Sequence, residues 1–432
     1  MRLLKGPARV AALWSIMSCQ QAPAGPSSFR APASTASAEL AMSYVPGGSP
    51  LDAALRNAQH AVRQAPGDAQ AYAQLGAQFL KRKRSSNNVA LVAYAQDALD
   101  AAARRAPLDE AVQSLRVMLL LDSHRFGPAA ELAATLVSAH PDDPTLQVLL
   151  GDALLELGDE ERAMEVYQTA VDLRPDLRTY NRAAYMLWLL DDVDGAFEAI
   201  RRAVEAGNPR DPESLAFCMV DAGTWQWQLG RHAKALAAAD RALQLIRDYV
   251  PALRLKGRAL TDAEDLPGAI AAYERAVELS GHVEETLELA ELVRRAGDAP
   301  RAEALVSGAL LRRNEEPRAA ALFLARHGLE PGDALRLIGL DLKDRHNIHS
   351  LSVQALALLR AGQPREADVV IRKATRFNTP DARAHLHDAL IRMALKDVRG
   401  ARAALARADA LHPRADPLLQ AEIERHLATV RR

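Results

Sequence analysis

The stretch Pro141–Pro175, PDDPTLQVLLGDALLELGDEERAMEVYQTAVDLRP, decides the fold. Its apolar residues recur at 3.6-residue spacing, which predicts one amphipathic helix from Pro144 to Leu157 and a second from Glu160 to Leu173, joined by the Gly158-Asp159 turn. Asp142 or Asp143 supplies an N-cap for the first helix, and Pro144 stands where a missing N–H is not needed. Leu150, Gly151 and Leu154 share one face of the first helix, and Ala163, Tyr167 and Ala170 share one face of the second. Gly151 and Ala163 are small where two helices of a hairpin approach closely; a larger side chain there overpacks by roughly 1–3 kcal/mol.

Outward from this stretch, alanines equivalent to Ala163 recur at Ala54, Ala95, Ala129, Ala196, Ala235, Ala269, Ala302, Ala334, Ala367 and Ala401. The chain is rich in alanine, so the argument rests on other offsets. Twelve residues before these anchors Gly223 and Gly257 repeat Gly151, and five before them Gly230, Gly297 and Gly362 repeat Gly158. Tyr273 repeats Tyr167, Ala242 and Ala276 repeat Ala170, and Pro66, Pro107, Pro141 and Pro413 repeat Pro175. The pattern resembles the tetratricopeptide repeat, a helix–turn–helix unit of about 34 residues. The resemblance implies an all-α, right-handed superhelical solenoid of antiparallel helix pairs.

On this reading residues 51–416 form the solenoid, an N-terminal half-unit from Leu51 followed by about ten repeats, and residues 417–432 form a capping helix. The two longest intervals carry KRKRSSNN (Lys81–Asn88) and GNPRDP (Gly207–Pro212), both expected as loops between helices. The unit from Glu315 to Arg345 is the least regular, and spacing alone assigns it.

Composition fits. Of the 432 residues 49% are apolar but only 4% aromatic, which suits closely packed helices better than a sheet-based core. The formal charge of −1 gives no basic field for nucleic acid. Two cysteines, Cys19 and Cys218, are too few for a disulfide framework.

Residues 1–19, MRLLKGPARVAALWSIMSC, have a basic head and a short apolar run ending at a cysteine. This is similar to a bacterial lipoprotein signal, which implies acylation of Cys19 and a membrane tether; Gln20, not being aspartate, then favours the outer membrane. Cleavage after Ala22-Pro23-Ala24, giving a soluble periplasmic protein, and an unprocessed cytoplasmic chain are the alternatives. Residues 20–50, rich in Ala, Pro, Ser and Gly, are expected as a flexible linker. No stretch approaches the ~20 apolar residues of a membrane span.

Catalytic patterns are absent: there is no HExxH, GxSxG, Gly-rich phosphate loop or CxxC pair, so no enzyme, cofactor or small-molecule substrate is expected. His346 and His349, with His385 and His387, are the nearest approach to a metal site, but His385 and His387 point to different sides of one helix, and no metal is expected there. The cations of Lys81–Arg84 suit a helix C-terminus. Cys218, with no base beside it, is expected as a small core residue.

The resemblance implies that first helices line a concave groove that takes a protein or peptide partner. Eleven, fifteen and eight residues before the anchors stand Tyr185, Asn181 and Trp188, then Thr224, Val220 and Trp227, then Arg258, Arg254 and Thr261, then Glu291, Leu287 and Arg294, with Phe217 at the groove edge. Aromatics and arginines are the usual anchors of interfaces. The alternative is that Trp188 and Trp227 fill gaps between repeats and that Arg258 pairs with Glu291. Asn181, Arg254 and Arg258 do not reproduce the carboxylate clamp of chaperone-tail adaptors. The expected function is a non-enzymatic interaction scaffold, tethered to a bacterial envelope or, alternatively, a cytoplasmic adaptor.

Overall fold

The structure, a computed structural model, describes residues 37–48, 50–86 and 88–430, and in these it is all helix and turn. The signal segment, Cys19 and residues 20–36 of the expected linker lie outside the described residues. Helices pack as ten antiparallel hairpins, here units 1 to 10. They are Ala69–Ser86 with Leu91–Arg105, Glu110–Asp122 with Phe126–Ala139, Pro144–Glu156 with Glu160–Leu173, Leu177–Leu189 with Val193–Glu205, and Pro212–Gln228 with His232–Leu245. Then follow Val250–Asp262 with Leu266–Ser280, Val283–Arg295 with Ala299–Leu311, Pro317–His327 with Pro331–Asp341, Ile348–Arg360 with Pro364–Ala374, and Ala382–Ala394 with Val398–Leu411. Two helices, the short Glu39–Ser43 and Pro50–Gln64, precede them, and Pro417–Val430 closes the stack by burying Leu419 and Ile423.

Local chemistry explains the hairpin. Asp159, Asp192, Asp265, Asp298 and Asp397 each cap the second helix of a unit by accepting a backbone N–H. Five residues before the anchor the backbone is left-handed in every unit from 2 to 7 and in 9 and 10. Gly158, Gly230, Gly297 and Gly362 adopt this conformation freely, whereas His124, Asp191, Glu264 and Lys396 adopt it with a side chain present. The anchors from Ala95 to Ala401 are fully buried. Packing explains the small residues: a Cβ on Gly151 would lie 2.4 Å from the Tyr167 ring, one on Gly257 2.5 Å from the Tyr273 ring, and one on Gly223 2.5 Å from Leu255. Ala170, Ala235, Ala269 and Ala276 are buried at the same contacts.

Three expectations are corrected. Lys81–Ser86 is not a loop but the end of a long helix, because its cations find carboxylates: Lys81 pairs with Asp211 (2.8 Å), Arg82 with Asp52 (3.2 Å) and Lys83 with Asp122 (3.3 Å). Residues 37–48 are not a spacer. Ala38 and Ala41 are buried, the Ala41 N–H donates to Asp97 (3.0 Å), Gln59 donates to the carbonyls of Ala41 and Tyr44, and the Tyr44 ring stands edge-on to Phe79 and Tyr94. Finally Ala54, in the half-unit, is only half-buried, and Leu55 takes the core position.

The superhelix turns far enough to meet itself. Between units 8 and 9, the His346 N–H donates to the Glu156 carbonyl (2.8 Å), while Arg345 (2.9 Å) and Asn347 (2.8 Å) bind the Glu156 carboxylate. Between units 9 and 10, Arg376 pairs with Glu160, and the Thr379 hydroxyl donates to the Leu189 carbonyl (2.7 Å). In unit 10 and after it, Arg407 pairs with Asp191 (2.8 Å), His412 with Asp262 (2.9 Å) and Arg414 with Glu264 (2.6 Å). The late connections thus dock on the hairpin turns of units 3, 4 and 6, and the concave face becomes an enclosed interior.

Candidate functional site: the enclosed interior

First helices line two adjoining cavities, of about 440 and 420 Å³, which share His124 and Arg345. The first cavity is walled by units 1 to 5 and the connection before unit 9; the second by units 5 to 10.

In the first cavity one hydrogen-bonded ladder crosses three units. The Tyr167 hydroxyl donates to Asp152 (2.7 Å), Arg182 grips Asp152 with two bonds (2.6 and 2.9 Å), Arg182 also donates to Asn181 (2.6 Å), and Asn181 donates to Asp221 (2.9 Å). A bidentate guanidinium–carboxylate pair of this kind fixes orientation as well as charge. Burial pushes the Asp221 carboxyl up to about 6, against the opposing pull of the Asn181 hydrogen bond and the Arg182 charge. Arg178, one turn before Arg182, is exposed into the cavity and has no hydrogen-bonded carboxylate among the described residues. Phe217, 38% exposed, lies beneath the Arg182 guanidinium (5.7 Å), and Tyr185 lines the same wall with its hydroxyl 3.5 Å from His349.

The second cavity is richer in carboxylates. Arg254 and Arg258 both bind Glu284 (3.1 and 2.9 Å), and Arg258 lies 3.6 Å from Glu288. Glu291 takes Arg326 (3.1 Å) and His327 (2.9 Å), so the Arg258–Glu291 pair of the alternative reading does not form; Arg258 instead reaches Glu284 and Glu288. Trp227, 7% exposed, is held between Arg258 and Arg383, each 5.2 Å from its ring, with His412 edge-on at 5.0 Å. At the junction burial holds His124 down to about 3, with Arg345 adding to the effect, so its imidazole is neutral.

Trp188 is placed elsewhere than on the groove wall. It is 2% exposed and stacks on Trp225 (centroids 5.3 Å, planes 7° apart) with Phe197 against both rings, inside the contact between units 4 and 5. Helix geometry gives the reason: Arg178, Arg182, Tyr185 and Leu189 form the stripe that faces the cavity, and Trp188 lies about 60° away from Tyr185, toward the next unit. Val220 and Leu287 are buried, Thr224 lines the second cavity, Thr261 bonds the Gly257 carbonyl and Arg294 is exposed outside it. Cys218 is buried and its thiol is pushed up to about 12, so it packs and does not react. His385 and His387 are both buried, with the Nδ1 of His387 2.8 Å from the Ser352 hydroxyl, and His346 is in the inter-turn seam.

Sequence reasoning took only Phe217 from a further inward stripe and missed the rest. Fourteen residues before the anchors stand Arg182, Asp221, Glu288 and His387, and eighteen before them Arg178, Phe217, Glu284, His349 and Arg383; all nine line the cavities. The signal was available as charge recurring at inward positions one helical turn earlier than those chosen.

Residues 114–178 and 220–282 match the tetratricopeptide repeat family. No curated protein matches the chain. Among solved structures, the chain is similar to the human IFIT1 dimer with PPP-AAAA (14% identity, 82% of this chain and 84% of that one, TM-score 0.48). It is also similar to PilF of Pseudomonas aeruginosa (16%, 50% and 96%, 0.40) and to yeast Tom70 (15%, 84% and 96%, 0.34). The two matched segments and the hairpins that continue their packing on either side give this chain the all-helical solenoid fold of tetratricopeptide repeats.

Proposed function

We propose that the chain is a protein-interaction scaffold that admits an extended segment of its partner into the enclosed interior. The carrying observation is the wall of the first cavity, where the uncommitted Arg178 cation and the half-exposed Phe217 ring stand beside a ladder whose other members are already satisfied. A carboxylate on the partner suits Arg178, and an apolar side chain suits Phe217. Arg318 in the second cavity, also without a hydrogen-bonded carboxylate among the described residues, offers a second anionic contact along the same path. Tethering to a bacterial envelope through acylated Cys19 belongs to this reading and rests on the sequence of residues 1–19.

The test is affinity capture from detergent-solubilised envelopes, with mass spectrometry of the mature N-terminus. The wild-type chain should hold a partner that the double variant Arg178→Glu/Phe217→Ala loses by at least about tenfold, while the two melting curves coincide. Equal capture by both chains removes the partner from the interior. A diacylglyceryl group on Cys19 supports the tether; an N-terminus still carrying Met1 rejects it.

A further inference from the structure

Where units 7 and 8 meet beside the second cavity, three donor side chains converge from two helix starts. His282 is the N-cap residue of the helix Val283–Arg295, Glu285 lies in its first turn, and Glu316 is the N-cap residue of the next first helix, Pro317–His327. A ring nitrogen of His282 and one carboxylate oxygen each from Glu285 and Glu316 all lie within 4.8 Å of one another.

Part of this arrangement has a purely structural account. Glu316 accepts the N–H groups of Val283 (3.1 Å) and Glu284 (3.2 Å), capping the neighbouring helix in place of its own, and contacts His282 Nδ1. Glu285 has no such account. It is 0% exposed, and neither of its carboxylate oxygens has a hydrogen-bond partner. Arg254 is 3.5 Å from one of them but donates to Glu284. The fully buried Asp416 shows the contrast, since it accepts from Arg326 (2.5 and 3.2 Å) and from the Leu419 N–H. A buried carboxylate without hydrogen bonds is strongly disfavoured unless a proton or a cation neutralises it, and the cation beside Glu285, Arg254, is shared with Glu284.

We propose that His282, Glu285 and Glu316 form a binding site for a divalent transition ion of the zinc class. One imidazole and two carboxylates are the borderline-to-hard donor set such ions take, and the two negative charges balance the ion. Donors about 2.1 Å from a tetrahedral ion lie about 3.4 Å from one another, so the widest pair must close by up to about 1.4 Å, a movement that rotation of a glutamate side chain supplies. Glu316 keeps its helix-capping bonds, since a carboxylate oxygen has two lone pairs. His282 and Glu316 also line the second cavity, so the remaining coordination position faces the interior. This inference stands whether or not a partner enters there.

The test uses the full-length chain, treated with a chelator and titrated with Zn²⁺ by calorimetry and with Co²⁺ by visible absorption. The wild type should take up one equivalent, with the ligand-field spectrum of low-coordinate cobalt and a melting temperature that rises with zinc. Glu285→Gln should weaken binding by at least about tenfold and, having lost an uncompensated charge, should melt no lower than the metal-free wild type. His282→Gln, which leaves Glu285 in place, provides a second loss of affinity should Glu285→Gln perturb folding. Zinc uptake unchanged in both variants, or none in the wild type, overturns the site.

Discussion

The two cavities have nearly equal volume and share His124 and Arg345, yet they treat charge differently. In the first, Asp152, Arg182, Asn181 and Asp221 satisfy one another in a single ladder, and what is left over is a cation and an aromatic ring at the surface. In the second, arginines from units 6, 8 and 10 converge on the glutamates of unit 7, and one buried glutamate is still left without a hydrogen bond. Repetition of one hairpin therefore fixes the shape of an interior wall but not its chemistry. The side chains at two inward stripes, which vary freely from unit to unit, decide that.

The sharpest way to break this comparison is at Trp188, which the first cavity has behind its wall and the second lacks. Trp188→Ala should cost about 3–5 kcal/mol, because it removes a buried indole stacked between two units. Denaturant melts measure it; a loss below about 1 kcal/mol would mean that units 4 and 5 do not depend on that stack. Next comes Arg345, common to both cavities, which joins Glu156 to Asp341 (2.9 and 3.2 Å) with its cation over Phe126. Arg345→Ala should cost about 3 kcal/mol, since two partly buried carboxylates lose their partner, and faster hydrogen exchange at His346 should report loosening of the seam.

The smallest effect depends on pH. The folded-state value of Asp221, about 6, lies above the ordinary 3.8, so the folded chain holds this proton more tightly than the unfolded one does. Its contribution is then fully present below pH ~4 and is lost as pH rises through 6. Asp221→Asn should leave stability at pH 4 unchanged and raise it at pH 7.5 by on the order of 1–2 kcal/mol. A variant equally stable or less stable at pH 7.5 would show that Asn181 and Arg182 hold Asp221 ionised.

Much of the fold was legible because its causes are local. The 3.6-residue spacing, the Gly158-Asp159 turn and the small Gly151 opposite Tyr167 are consequences of one hairpin, and they recur with it. The docking of Tyr44 on Phe79 and Tyr94 was not legible, because a short aromatic in an Ala/Pro-rich segment carries no periodicity. The site was legible by half. Offsets of eleven and fifteen found Asn181, Tyr185 and Arg258, but the offset of eight sent Trp188 to the wrong side of a 60° boundary, and Arg178, Arg182 and Asp221 went unnoticed.

By itself the sequence determined that the chain folds as stacked helix hairpins, where each begins and turns, and which residues must be small, since these depend on neighbours within one unit or the next. Only the tertiary structure decided that Arg345 meets Glu156, that Arg383 and Arg258 flank Trp227, and that the groove is closed. Those contacts depend on the rotation between units summed over most of a superhelical turn. Small differences in packing at each step accumulate there, and no single stretch of sequence contains the sum.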